Sequence, residues 1–93
     1  MKITAEQRIT NSKNMVEVTQ IVLTDVWAQF ALKFKEEVRP FIRAKETQEN
    51  WIKSVNETFG VEMHAERKRL FKLIPSQLRD SNMYKELDNR LKN

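Results

Sequence analysis

The sequence predicts an all-α fold, and three observations predict it. There is one glycine, Gly60, and there are two prolines, Pro40 and Pro75, in 93 residues. An all-β chain needs turn glycines at its hairpins, and a nucleotide-binding α/β fold needs a glycine-rich phosphate loop. Apolar side chains also recur at three- and four-residue intervals through most of the chain, the repeat of one helix face. Finally, the apolar 40% is enough to build a core and argues against a disordered chain. The expected architecture is a small bundle or orthogonal array of four to five helices, forming one domain over residues 1–93.

The first helix signal is Thr4-Ala5-Glu6-Gln7. Thr with Gln three residues later is a capping box, in which hydroxyl and amide each satisfy an orphan backbone N–H. Thr10-Asn11-Ser12 compete for backbone hydrogen bonds, so a break is expected near residues 10–14. From Asn14 to about Arg39 the chain reads as the central helix. Val18, Val22, Val26, Phe30 and Phe34 recur every four residues, and Leu23, Trp27 and Ala31 form an adjacent stripe. Pro40 ends or kinks it. Phe41 and Ile42 resume apolar contact, and residues 45–50 form a polar turn or exposed face.

Trp51, Ile52, Val55 and Phe59 share one helical face, and Gly60 stands where a left-handed C-cap belongs. A separate helix is then expected over residues 61–73, with Met63, Leu70, Phe71, Leu73 and Ile74 as its apolar set. Pro75 stops it, and Ser76 can cap a short turn carrying Leu78. Ser81 or Asn82 starts a last helix with Met83, Tyr84, Leu87 and Leu91.

Several chemistries are excluded or disfavoured. Without cysteine there is no disulfide scaffold, thiolate metal site or cysteine nucleophile. The absence of cysteine leans towards a reducing, intracellular and cytoplasmic setting. No secretory leader or membrane-spanning run is visible. His64 is the sole histidine, and no ligand type stands one turn away on either side, so no metal site is expected. The carboxylates alternate with Lys and Arg at helical spacing, as on a solvated face. No glycine flanks a serine to form a nucleophile elbow. The chain is therefore read as no enzyme, with no catalytic residue, cofactor or small-molecule substrate.

The charge pattern is more informative. The net charge is +4, and residues 63–93 carry eight basic and four acidic side chains, so the whole excess lies in the last third. Its densest piece is Arg67-Lys68-Arg69 with Lys72. Lys68 and Lys72 are one helical turn apart. Arg79, Lys85, Arg90 and Lys92 extend the patch if the last helix packs alongside. Such a stripe can meet an acidic protein surface or neutralise phosphates. The first reading is a non-enzymatic helical module that docks on another protein or on itself. Arg67, Lys68, Arg69, Lys72 and Arg79 are its candidate contacts, and exposed aromatics are its anchors. The alternative is a nucleic-acid-binding protein using the same residues. In that reading Gly60 is the one candidate turn of a helix-turn-helix.

The opening Met1-Lys2-Ile3-Thr4 with Arg8, the aromatic-rich second helix and the late Leu73-Ile74-Pro75-x-x-Leu78 turn resemble small helical accessory proteins of bacteriophages, some of them nucleotide-modification-associated. The resemblance implies a small, cysteine-free, helical protein that acts by binding host or viral macromolecules. It implies no catalytic residues.

Overall fold

The structure, a computed structural model, describes residues 3–38 and 48–92. The expectations for Pro40, Phe41, Ile42 and residues 45–47 lie outside these residues. The described chain is helical, with no strand among the described residues.

Helix α1 spans Ala5–Thr10. Its capping box is formed as the sequence predicts. Gln7 N donates to Thr4 Oγ1 at 3.2 Å, and Thr4 N donates to Gln7 Oε1 at 2.9 Å. The predicted break follows. The Thr10 hydroxyl donates to the Glu6 and Gln7 carbonyls, and the buried Ser12 hydroxyl donates to the Arg8 carbonyl at 2.6 Å. Asn14 then caps the next helix by accepting from Glu17 N.

The central helix is a rod of three pieces: α2 over Met15–Thr19, a π-helical segment over Gln20–Asp25, and α3 over Val26–Glu37. The π segment has a consequence for packing. In an ideal α-helix, residues four apart rotate by about 40° at each step, so a valine every fourth residue drifts off the buried face. The wider π turn takes more residues per turn and counters that drift. Val18, Val22, Val26, Phe30 and Phe34 are all buried as a result.

Helix α4 spans Gln48–Phe71 without interruption. This corrects the two shorter helices expected on either side of Gly60. Gly60 has no left-handed backbone and is not a C-cap, and a Cβ added there meets nothing within 4 Å. A glycine inside a helix costs only about 1 kcal/mol. Phe59 and Met63, one turn apart and both buried, outweigh that cost by packing on the same face. The helix-turn-helix reading of Gly60 falls with the break.

After α4 the chain turns through Pro75 into a 3₁₀ turn over Ser76–Leu78. Pro75, not Ser76, occupies the N-terminal cap position, and no side chain caps that turn. Helix α5 spans Asn82–Leu91, with the Ser81 hydroxyl accepting from Tyr84 N at 3.1 Å.

α3 and α4 run antiparallel. Phe34 meets Trp51 at one end of the pair, Phe30 meets Phe59 in the middle, and Arg67 reaches Val22 and Leu23 towards the other end. α1 and α5 pack at that last end, α1 against the C-terminal half of α4 and α5 against α2 and α4. The radius of gyration is 14.9 Å, against about 12 Å for a compact chain of this length. The molecule is therefore elongated, with an α3/α4 arm projecting from a four-helix end. Among the described residues the large apolar side chains left exposed are Ile3, Val16, Leu32, Ile52, Val61 and Met83. Ile3 precedes α1, Val16, Leu32 and Met83 stand on α2, α3 and α5, and Ile52 and Val61 stand on α4.

Candidate functional site

The five cations singled out from the sequence fall into two groups. Arg67 points inwards. Its Nε donates to the Val22 carbonyl at 3.0 Å and a terminal nitrogen donates to the Leu23 carbonyl at 2.9 Å. It thereby ties α4 to the π segment, and burial lowers its pKa from the ordinary arginine value. Arg69 bridges two carboxylates, Glu66 on its own helix and Glu6 on α1. Its hydrogen bonds to Glu66 and then to Glu6 raise its pKa. In return Glu6 is held below the ordinary glutamate value, first by its own backbone N–H and then by Arg69. Arg79 donates to the Ile74 carbonyl at 3.1 Å and to the Lys72 carbonyl at 3.3 Å, closing the C-terminal turn after α4. All three arginines are engaged within the molecule.

Lys68 and Lys72 are different. Both are exposed, and neither pairs with a carboxylate among the described residues. With Phe71 they form one wall of a groove of about 330 Å³, and Asp88, Leu91 and Lys92 of the α5 end form the other. Phe71 stacks on Tyr84, with ring centroids 4.7 Å apart at 21°, so its orientation in the groove is set from behind. Leu91 is buried. Asp88 holds Lys92 at 3.5 Å. The site is an apolar floor between lysine-bearing rims.

Arg90 sits elsewhere. It lines a smaller cavity of about 100 Å³ with Thr19, Leu23, Met83, Glu86 and Leu87. The Thr19 hydroxyl beside it is buried and has no hydrogen-bond partner among the described residues. Of the expected aromatic anchors, Phe30, Phe34 and Phe59 are buried, and Trp27 is half-buried with Nε1 donating to Asn56 at 2.9 Å. Phe71 is the aromatic residue that lines the groove. The sequence reading placed Phe71 and Leu91 in the apolar helix faces and not in a site, and it did not single out Asp88. Their signal was the matched spacing of Lys68 with Lys72 and of Asp88 with Lys92, each flanking an apolar residue.

His64 is half-buried, and among the described residues no three His, Cys, Asp or Glu side chains gather where a metal could bind. Among the described residues no helix is long and apolar enough to cross a membrane. Fold and groove together define a small all-α protein with a lysine-rimmed apolar groove. Compared with protein-family models, curated proteins and solved structures, the chain shows no match.

Proposed function

We propose that this chain is a small non-enzymatic binding module that acts through protein–protein contact, with the α4/α5 groove as its docking surface. The observation that supports this reading is the division of its cations. Arg67, Arg69 and Arg79, of the residue type that best grips phosphate, are each bonded within the molecule, whereas Lys68 and Lys72 stand beside an apolar floor. An apolar floor contributes to a protein interface and little to a phosphate backbone. The reading involves no catalytic step and no cofactor. A small, cysteine-free helical protein that binds host or viral macromolecules is also what the phage accessory resemblance implies, and the lack of cysteine suits a reducing, cytoplasmic setting.

Photo-crosslinking tests it. A photoreactive amino acid is placed at Lys72 and, as a control on α3, at the exposed Leu32. The expected result is discrete protein adducts from position 72 and not from position 32, lost when Lys68 and Lys92 are changed to Glu while the helical circular dichroism is unchanged. Equal adducts from both positions, or adducts only with nucleic acid, would count against the module.

A further inference from the structure

We propose that the occupant of the α4/α5 groove is an acidic amphipathic helix of a partner protein, set with an apolar side chain against Phe71 and Leu91 and carboxylates against Lys68 and Lys72. The proposal rests on the binding-module reading and names the chemistry of the partner.

Shape is the first argument. The groove lies between the last turns of two helices, with Lys68, Phe71 and Lys72 on one and Asp88, Leu91 and Lys92 on the other. A third helix laid on such a pair completes the ridge-and-groove packing that helices use on one another. The volume, about 330 Å³, is at the small end of the range of about 300–1,000 Å³ that holds a compact ligand. It suits a few inserted side chains.

Charge is the second. Lys68 and Lys72 project from adjacent turns, so their ammonium groups repeat at the pitch of a helix. A partner helix with Glu or Asp at positions i and i+4 meets both. Asp88, the acid in the groove's lining, pairs with Lys92. The lining therefore holds three cations and one anion, and Lys68 and Lys72 are the pair without a partner among the described residues. The same count argues against a nucleic-acid occupant. Two unpaired lysines neutralise about two phosphates, whereas strong duplex binding rests on roughly 6–10 such contacts.

The test is an amide NMR titration of the whole chain at low salt with three probes. One is a synthetic amphipathic peptide of Leu and Glu in heptads. The second is its scrambled isomer of identical composition, and the third is a duplex oligonucleotide. The expected result is shifts confined to Lys68, Phe71, Lys72, Asp88, Leu91 and Lys92, with the amphipathic peptide binding at least about tenfold more tightly than its scramble. K68E/K72E should weaken that binding by about tenfold or more with the rest of the spectrum unmoved, and K68Q/K72Q should fall between. Equal affinity for the two peptides overturns the helical occupant, as does tighter binding of the duplex. An absence of groove shifts with the amphipathic peptide also overturns it. Crosslinking from position 72 reads the binding module independently, so failure of the helical occupant and failure of the module are told apart.

Discussion

In the α3/α4 arm, two helices close on each other through rings. At the other end, α1, α2, the C-terminal half of α4 and α5 close around aliphatic side chains and are tied by arginines. In the arm Phe34 stands edge-on to Trp51 at 5.0 Å and to Phe59 at 6.5 Å, and Phe30 tilts against Phe59 at 5.5 Å. Lys33 lies over the Phe30 and Phe59 rings and pairs with Glu62 at 3.5 Å. At the four-helix end the buried set is Ile9, Met15, Val18, Ile21, Met63, Leu70, Ile74, Leu87 and Leu91. Around it Arg8 pairs with Asp25 at 2.8 Å, and Arg67, Arg69 and Arg79 make the contacts described above. Two facing helices exclude water best with a few large rings, because each ring buries much area at one position. Four helical segments share the work among many small contacts. Burial in the arm is therefore concentrated, and burial at the other end is distributed.

The strongest way to break this comparison is Phe34→Ala. Phe34 is 1% exposed and touches two other rings, so its truncation should cost about 3–5 kcal/mol. A domain of this size holds roughly 0.05–0.15 kcal/mol per residue in all. Urea unfolding should show a greatly reduced or absent transition. A loss below 1 kcal/mol would mean that the arm is not closed by its rings.

Next in size is Arg67→Ala, which leaves the Val22 and Leu23 carbonyls without a charged donor. The expected loss is about 2 kcal/mol. Arg67→Lys should recover only part of it, because a single ammonium does not reproduce a fork that donates to two carbonyls. Equal midpoints for the lysine variant and wild type in the same urea experiment would contradict the role given to the fork.

A smaller effect of opposite sign is expected from Gly60→Ala. With open space around the new Cβ, the helix-propensity gain of about 0.5–1 kcal/mol should appear as a higher melting temperature. A lower one would show that the residue serves some closer contact.

The smallest effect sharpens the comparison through pH. Glu6 has a depressed pKa in the folded chain. Its contribution is therefore complete above the ordinary value of 4.5 and is lost as pH falls through the depressed one. Amide resonances of α1 should report this loosening on acidification, while those of the ring-packed arm do not. Glu6→Gln should abolish the step in α1.

Much of this was legible beforehand because it is local. The Thr4–Gln7 box, the break at residues 10–14 and the Ser81 cap each depend on side chains within three or four residues of the backbone they serve. The every-fourth-residue valines and phenylalanines, with the stripe beside them, marked a central helix touched on more than one side, although not that a π turn would keep the valines buried. Gly60 misled because glycine is the usual C-cap residue, whereas the tertiary burial of Phe59 and Met63 on either side of it makes a continuous α4 favourable.

The residues themselves determined an all-α chain with its basic excess at the C-terminal end, since composition and helical periodicity are properties of the chain alone. Tertiary structure decided which of those cations remain available. Arg67 finds its acceptors 44 and 45 residues away and Arg69 finds Glu6 at a separation of 63. No local pattern announces a partner at such distances, and those partners occupy the guanidinium groups, Arg67 part-buried and Arg69 still exposed. Among the described residues Lys68 and Lys72 have no carboxylate partner, because they stand on the side of α4 that faces the end of α5, where Asp88 of the groove lining is already paired with Lys92.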